Sequence, residues 1–181
     1  MEFITTDLPG VYIIKPLRHG DERGYFCETF RKDEFEKNIG PVDFVQENES
    51  LSRRGVVRGL HYQAGASSQA KLVRVSQGRV VDVAVDLRRS SPTFGRHIAV
   101  ELTEDNGLML YVPRGFAHGF IVLSEQARFE YKVDNYYDPS SERCIRFDDP
   151  QLAIDMLLPA EEMIFSEKDR KGVSFAEAEK F

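Results

Sequence analysis

Short apolar segments recur along the whole chain, each rich in β-branched and aromatic residues and each bounded by Gly, Pro, Asn or Ser. The segments are Val11–Pro16, Tyr25–Phe30, Phe44–Ser50, Val56–Tyr62, Lys71–Ser76, Val80–Asp86, His97–Thr103, Leu108–Val112, Gly119–Leu123, Arg128–Val133 and Cys144–Phe147. Many short strands at fairly even spacing are typical of a β-sandwich or a β-barrel. The pattern therefore predicts an all-β fold.

Two of these segments show what their opposite faces carry. In Val80–Asp86, alternate valines form one face, while Asp82 and Ala84 lie on the other. In Lys71–Ser76, Lys71 shares a face with two valines. An unpaired buried ammonium is costly, so Lys71 either reaches water from the strand end or belongs to a polar site. The alternation alone leaves both interpretations open.

Helical periodicity is scarce. Lys32–Asn38 is predicted to form a helix of two turns with Phe35 packed inward and its charges in solvent. In the tail, Pro159–Phe165 and Phe175–Lys180 are predicted to be short helices or irregular. The polar segment Phe165–Asp169 taken by itself indicates a solvated loop.

Length and composition bound the molecule and its partners. The 181 residues contain no linker or repeat, so we expect one domain over residues 1–181, with a tail from about residue 150 packing back on the barrel. Lys and Arg number 24 against 30 Asp and Glu, a net charge of -6. This balance argues against nucleic acid as a partner and still allows a basic pocket for one small anion.

The cysteines and the chain start bear on the compartment. Cys27 and Cys144 have neither disulfide-framework nor C-x-x-C spacing, so we expect reduced thiols in a cytoplasmic protein. No apolar run is as long as a membrane span, and Met1–Thr5 lacks the basic and apolar regions of a secretion signal. We expect no membrane partner.

One stretch has the spacing of the second cupin motif, G-x5-P-x-G-x2-H-x3-N. Gly107 is followed after five residues by Pro113, then by Gly115 and His118. The last position of the motif holds Val122 instead of Asn. Motif spacing of this kind indicates a cupin-type barrel with His118 at its mouth.

An earlier stretch matches the first cupin motif, G-x5-H-x-H-x3,4-E-x6-G, only in part. Gly55 precedes His61 by the expected spacing, but the second His is replaced by Gln63. Lys71, six residues before Gly78, stands in place of the Glu. Cupin metals are held by imidazoles and a carboxylate, and a lysine there repels a cation. We therefore expect no metal at these positions, and instead a base and a cation around a cavity.

The chain resembles the dTDP-4-dehydrorhamnose 3,5-epimerase family over essentially its whole length. The resembling stretches are Gly20–Gly24, Phe44–Asn48, Val57–Gln63, Lys71–Arg74, Asp82–Asp86, Ser91–Gly95, Val112–Phe120 and Asn135–Pro139. The resemblance implies a cupin-type jelly-roll barrel with short peripheral helices. It also implies a homodimer that binds a dTDP-linked 4-keto-6-deoxysugar and inverts C3 and C5 without a cofactor, in dTDP-L-rhamnose biosynthesis.

By this resemblance, His61 is the base, Tyr131 returns a proton from the opposite face, and Lys71 stabilises the enolate oxygen. Asp169 is expected to hydrogen-bond His61, which gives the polar tail segment a function, and Asp82 to join the same charge network.

The resemblance also implies a substrate-binding set. Arg23 and Arg58 match the residues that clamp the diphosphate, and Tyr137 matches an aromatic side chain that stacks on thymine. The other family ligand positions are matched by Glu28, Gln46, Asn48, His118, Glu142 and Lys168. Because family members exchange strands within the dimer, Arg23 or Glu28 is expected to serve the pocket of the partner subunit.

Two positions conflict with simple patterns. Strict alternation places Arg58 on the strand face opposite His61, although both belong to one site, and a bulge at Gly59 would resolve this. Ile154–Leu157 stands where the family often has an Asp-Trp-Pro-like stretch, and the chain has no Trp. We expect that change to affect packing or dimer contacts.

Three alternatives remain open from the sequence. The first is a related enzyme that inverts only C3 or only C5. The second is a metal-dependent cupin, such as a dioxygenase or a phosphosugar isomerase, and the third is a sugar-binding cupin without catalysis. Exchange of substrate hydrogen for solvent deuterium separates the two kinds of epimerase. Bound metal that is lost together with activity on chelation would indicate the second alternative, and function unchanged in His61→Ala and Tyr131→Phe the third.

Overall fold

The computed structural model describes all residues from 1 to 181. The strands are β1 (Glu2–Thr5), β2 (Tyr12–Lys15), β3 (Arg18–Asp21), β4 (Gly24–Cys27), β5 (Gln46–Arg53), β6 (Val56–Gln63), β7 (Lys71–Gln77), β8 (Arg79–Asp86), β9 (His97–Thr103), β10 (Met109–Val112), β11 (Phe116–Val122), β12 (Gln126–Val133), β13 (Glu142–Cys144) and β14 (Ile164–Phe165). The helices are α1 (Lys32–Asn38) and α2 (Glu167–Arg170), with 3₁₀ turns at Gly65–Ser67 and Ala160–Glu162. No helix is long and apolar enough to cross a membrane.

Two antiparallel sheets form the body of the fold. One has the order β1-β2-β10-β7-β12-β5 and the other the order β13-β6-β11-β8-β9. Strand β14 adds to β6 in parallel, and β3 and β4 form a separate hairpin. The predicted all-β, cupin-type class with short peripheral helices is confirmed.

The space between the sheets is filled from both sides. The interior cluster includes Val73 and Val75 from β7 and Phe129 from β12, which meet Ala84 of β8 and Phe120 of β11. The rings of Phe120 and Phe129 stack with centroids 4.2 Å apart. This stack connects the two sheets and forms a wall of the cavity described below.

The valine face of β8 is covered by the chain's tail. Val81, Val83 and Val85 belong to a second cluster that includes Leu152 and Phe175. Ile154, from the stretch Ile154–Leu157 that lacks the Asp-Trp-Pro-like pattern, is buried in this cluster, and Met156 packs on it. These contacts support our proposal that residues 1–181 form one domain.

The helix α1 has the predicted bounds, and its apolar residue is inward. Phe35 is fully buried and makes edge contacts with Phe3 and Tyr111. This third cluster covers the outer face of the first sheet.

Some elements differ from the sequence prediction. Phe175–Lys180 is irregular, one of the two predicted outcomes, whereas Pro159–Phe165 contains a 3₁₀ turn and also the whole of strand β14, which was not predicted. Phe165–Asp169 is not a solvated loop, because it includes part of β14 and part of α2. The strand predicted at Cys144–Phe147 lies earlier, at Glu142–Cys144. The ends of these elements are determined by pairing with neighbouring strands, and a local sequence pattern carries no information about that pairing.

Candidate active site

A β-bulge in β6 sets the orientation of the site. His61 pairs with His118 of β11, whereas Arg58 pairs with Phe120, so three steps along β6 match two along β11. Gly59 within this bulge has φ +107°, and a Cβ there would lie 2.6 Å from the carbonyl oxygen of His118. Since directly paired residues share a face, Arg58 and His61 both face the barrel interior. The bulge expected from their conflict is confirmed.

Two adjoining cavities open between the sheets at this bulge. Asn48, His61, Lys71 and Tyr131 line both of them. The cavity of about 310 Å³ is also lined by Gln46, Tyr62, Gln63, Gln69, Tyr137 and Glu142. The cavity of about 350 Å³ is also lined by Glu49, Ser50, Arg58, His118, Gly119, Phe120 and Phe129. Nine of the predicted site residues therefore surround one connected space.

The chain's tail brings Asp169 to the back of His61. Strand β14 pairs with Val56 and Val57 at the start of β6, and α2 follows directly. The Ser166 hydroxyl caps α2 by accepting the backbone N–H of Asp169 at 3.1 Å, and it donates to Oδ2 of Asp169 at 2.5 Å. Ser166 is therefore the N-cap of α2, and its hydroxyl also holds the Asp169 carboxylate, an arrangement that the sequence encodes locally.

The resulting contact between Asp169 and His61 is close and sheltered. Oδ1 of Asp169 lies 2.7 Å from Nε2 of His61 and accepts the backbone N–H of Gly59 at 3.2 Å. The approach angle at Nε2 falls outside that of a hydrogen bond, so the pair is a close polar contact. The Asp169 side chain is 4% exposed and that of His61 is 29% exposed.

The charge of Asp169 is held in place by its partners. Burial alone would raise the pKa of this carboxyl, but the interactions with His61 and the Ser166 hydroxyl outweigh it and lower the pKa to about 2. Asp169 is therefore a carboxylate at any pH near neutrality.

A second His–Asp pair lies deeper in the barrel. Nε2 of His118 is 2.9 Å from Oδ1 and 3.0 Å from Oδ2 of Asp82, and both side chains are buried. Burial lowers the pKa of His118, against the opposing effect of Asp82. His118 is therefore neutral at pH 7, with one ring nitrogen held by the carboxylate.

Lys71 points into the same space without an ion-pair partner within 4.0 Å. Burial lowers its pKa to about 8, while the charges of Asp82 and Glu142 act in the opposite direction. Lys71 is thus mainly an ammonium at neutral pH. Its cavity position favours the second sequence interpretation, a polar site, over a lysine that reaches water.

Tyr131 lies on the opposite sheet from His61. On β12 it pairs with Val73 of β7 on one side and with Asn48 of β5 on the other. Burial raises the pKa of its phenol, so the hydroxyl keeps its proton at neutral pH. The cavity therefore has an imidazole on one wall and a protonated phenol on the other.

The rim of the cavity is a polar cluster around Glu142. This carboxylate accepts the Tyr137 hydroxyl at 2.7 Å and the ammonium of Lys168. Burial would raise the pKa of Glu142, but these two donors outweigh it and the net shift is downward. Nearby, Gln46 donates to Oδ1 of Asn48 at 2.9 Å.

Arg23 and Glu28 do not reach the cavity of their own chain. The Arg23 side chain is 84% exposed and is paired with Asp21 at 2.5 Å, within the turn of the β3–β4 hairpin. The Glu28 side chain is 54% exposed, 4.0 Å from Arg31. Neither residue lines either cavity.

Comparison with known proteins places this geometry in a family. The family model described as dTDP-4-dehydrorhamnose 3,5-epimerase matches residues 5–177. A relative with that name from Pseudomonas aeruginosa is 50% identical over 175 residues, covering 96% of each chain. The chain belongs to the dTDP-4-dehydrorhamnose 3,5-epimerase family.

Solved structures of this family share the fold closely. The enzyme of that name from Elizabethkingia anophelis matches with a TM-score of 0.94 and 51% identity, over 97% of each chain. The dTDP-6-deoxy-D-glucose-3,5-epimerase of Legionella pneumophila, solved in complex with dTDP-4-keto-L-rhamnose, matches with a TM-score of 0.94 and 46% identity. That match covers 98% of this chain and 94% of the other. The resemblance inferred from the sequence motifs is confirmed.

One residue of the epimerase site was not predicted to have a role. The Gln63 amide donates to the carbonyls of Ser67 at 2.6 Å and Tyr136 at 3.1 Å, and its Oε1 accepts the N–H of Asp138 at 2.6 Å. Gln63 thus secures the loop that carries Tyr137. The sequence signal was its place in the motif, where a metal-binding cupin has His.

Proposed function

We propose that this chain converts dTDP-4-dehydro-6-deoxy-D-glucose to dTDP-4-dehydro-L-rhamnose by inverting C3 and C5. Family membership gives the reaction class, an isomerase acting on a dTDP-linked keto sugar, in a cofactor-independent family. One observation carries the proposal for the site: His61, backed by Asp169, faces Tyr131 across a cavity that also contains Lys71.

The chemistry begins at the carbons that flank the C4 ketone, whose protons are acidified because the carbanion is delocalised as an enolate. Asp169 lies against Nε2 of His61 and favours the tautomer with its proton there. The other ring nitrogen, Nδ1, makes no hydrogen bond within the chain and is the atom that takes the proton. The Lys71 ammonium stabilises the enolate oxygen.

Inversion requires the proton to return from the opposite side. His61 belongs to β6 in one sheet and Tyr131 to β12 in the other, so a sugar between the sheets has one group on each face. Tyr131 donates its phenolic proton to the carbon, and His61 keeps the proton that it removed. Exchange with solvent then restores both groups, so each inverted carbon acquires a hydrogen that derives from water.

The remaining cavity residues fit the nucleotide part of the substrate. Arg58 faces the interior and can grip the diphosphate through its planar guanidinium. Tyr137 is half exposed at the rim and presents a ring on which thymine can stack. The polar groups that would orient the sugar and nucleotide are Gln46, Asn48, His118, Glu142 and Lys168. Asp82 sustains the charge of Lys71 and holds His118.

We also propose a homodimer in which Arg23 and Glu28 complete the pocket of the other subunit. The β3–β4 hairpin is separate from both sheets, and in and next to it three large apolar side chains are exposed, Leu17, Tyr25 and Phe26. Exposed apolar groups of this kind are common where a second chain binds. The salt bridge of Arg23 with Asp21 is exposed and weak, so Arg23 is free to rearrange.

We place the enzyme in the cytoplasm, because Cys27 and Cys144 are both free thiols, as is usual in a reducing compartment. We expect the reaction to need no added cofactor.

Incubation with the keto sugar in D₂O tests the proposed reaction. Deuterium at both C3 and C5, read by NMR, is the expected result. Deuterium at one carbon would identify the single-carbon epimerase instead, and absence of exchange would overturn both. If chelation abolished exchange and added metal restored it, the result would favour a metal-dependent cupin. If the protein bound the sugar but caused no exchange, the result would favour a sugar-binding cupin.

A further inference from the structure

Three potential metal ligands converge behind His61, on the side away from the proposed sugar position. A ring nitrogen of His61, Sγ of Cys144 and a carboxylate oxygen of Asp169 all lie within 4.8 Å of one another, and the nitrogen nearest the carboxylate is Nε2. Cys144 of β13 pairs directly with His61 of β6, and Asp169 comes from α2. Three separate elements thus supply one nitrogen, one sulfur and one oxygen donor.

The donor set matches one class of ion. Imidazole, thiolate and carboxylate are the three ligand types that zinc takes in proteins, and a thiolate selects against magnesium and calcium. Zinc–ligand bonds of ~2.0–2.3 Å place tetrahedral ligands ~3–4 Å apart. The thiol must therefore move slightly inward, and Nε2 of His61 and Oδ1 of Asp169, now 2.7 Å apart, must separate slightly. In addition, Nε2 of His61 is buried and has no aligned hydrogen-bond partner.

We propose that His61, Cys144 and Asp169 form an inhibitory site for a thiophilic divalent cation of the zinc class. Of the cupin metal positions this site uses only His61, because Gln63 and Lys71 replace two of the other expected ligands. It uses the back of the catalytic imidazole rather than the mouth of the barrel.

Coordination switches off the base through the tautomer of His61. A cation bound at Nε2 leaves the ring proton on Nδ1, and Nδ1 then donates instead of accepting a proton. Burial raises the pKa of the Cys144 thiol to about 12, so the free protein holds it as a neutral thiol. A bound cation displaces the thiol proton to solvent, so the step involves no oxidant or reductant.

Of the three proposed ligands, Cys144 also borders a further cavity beside the site. This cavity of about 860 Å³ is bordered by Glu167, Lys171 and Glu179, and it shares Tyr62 and Glu142 with the smaller sugar cavity. His61 does not line this cavity, and the sugar cavities do not include Cys144. Because the cation binds the catalytic imidazole, we expect kcat to fall by a larger factor than the KM for the nucleotide sugar changes.

Titration of the full-length protein with Zn²⁺ and Cd²⁺ tests the proposal, with Cys144→Ser and Cys27→Ser as matched variants. The ultraviolet charge-transfer band of a Cd²⁺–thiolate bond reports binding directly and without substrate. Wild type and Cys27→Ser should show the band and lose kcat, with recovery on addition of chelator. Cys144→Ser should lack the band and need a metal concentration about 10- to 100-fold higher for inhibition.

Equal inhibition of Cys144→Ser and wild type would overturn the proposal, as would a band that depends on Cys27. Inhibition without any band would also overturn it, because the metal would then act elsewhere, for example on the substrate diphosphate. The inhibition readout rests on the proposed epimerase function, whereas the cadmium band does not. Failure of the proposed metal site can therefore be distinguished from failure of the proposed epimerase function.

Discussion

At the scale of single residues, the two His–Asp pairs of the barrel have different properties. The His118 side chain is 6% exposed and holds both oxygens of a fully buried Asp82, whereas that of His61 is 29% exposed and contacts one oxygen of Asp169. A base must both receive a proton and exchange it with water. Only His61 has the access for this, so His118 is better suited to orient the substrate.

Replacement of Asp169 by Asn tests the support of His61. The amide removes the carboxylate charge beside Nε2, so the tautomer that leaves Nδ1 free is no longer favoured. We expect kcat to fall by about 10²–10⁴-fold, the range of a positioned base, with a smaller change in KM. The rate of deuterium incorporation at C3 and C5 measures this loss of kcat. Asp105→Asn, an exposed control, should behave as wild type, and an active Asp169→Asn would contradict the assignment.

The pH dependence of Lys71 provides a second test. Its pKa is lowered to about 8 by burial, so as pH rises through that value the ammonium loses its proton and can no longer stabilise the enolate oxygen. We therefore expect kcat to decline on the alkaline side of pH 8. In the Lys71→Arg variant the guanidinium stays charged above pH 8, because its pKa exceeds ~12. We therefore expect this variant to show no alkaline decline in kcat, even if its kcat is lower at every pH.

Lys71→Met is the companion variant, and it should lose activity by about 10²–10³-fold at neutral pH, as expected for loss of one oxyanion donor. Rate profiles from neutral to alkaline pH measure both variants. If Lys71→Arg keeps the alkaline decline, another group is responsible. Tyr131 is the less suitable candidate, since burial raises its pKa above the ordinary value of 10.0.

At the scale of elements, the sequence predicted the strands with clear alternation and the helix α1, because each of these buries one regular face. It also predicted the bulge, since Arg58 and His61 could not otherwise share a site. The strand β3 was not predicted: Arg18–Asp21 has no apolar alternation and is defined by its hairpin partner. The strand β14 has two residues, too few for any period, and depends on β6.

The candidate site was predictable to a different degree. The motif spacing indicated His61, Lys71 and His118, whereas Asp169 and Tyr131 came only from the family resemblance, because tertiary contacts bring them to the cavity. The role of Gln63 needed the structure, since its three hydrogen-bond partners are backbone groups that carry no sequence signal.

Replacement of Gln63 by Ala tests how the loop with Tyr137 is held. The change removes hydrogen bonds to Ser67, Tyr136 and Asp138 and leaves their backbone groups without a partner. Leaving buried polar groups without a partner costs about 1–3 kcal/mol. If this cost opposes substrate binding, KM rises roughly 5- to 150-fold. We expect kcat to change little, because His61 is held by other contacts. Steady-state kinetics separate the two constants. Gln151→Ala, a control at an exposed position, should leave both kcat and KM unchanged. A fall in kcat without a change in KM in Gln63→Ala would contradict the proposed role in holding the loop.

At the scale of the whole molecule, the charge distribution agrees with the proposed substrate. The chain carries -6 overall, yet Arg58 and Lys71 line the inner cavities and Lys168 lies at the rim. Two cations inside the cavities of an otherwise acidic protein can hold a small anion, while the overall charge disfavours polyanions. The tail contributes to this organisation, because it covers the valine face of β8 and also delivers Asp169.

Subunit mixing tests whether the pocket is shared between two chains. If Arg23 serves the partner's pocket, a heterodimer of Arg23→Ala and His61→Ala chains has one pocket with both residues intact. Random assembly makes half of all dimers mixed, so co-expression should restore about a quarter of the wild-type sites from two nearly inactive parents. Arg58 and His61 line the same cavity of one chain, so Arg58→Ala mixed with His61→Ala should restore nothing. Activity per dimer, with sedimentation to establish the assembly, decides the point. A monomer, or equal activity of the two mixtures, would refute the shared pocket.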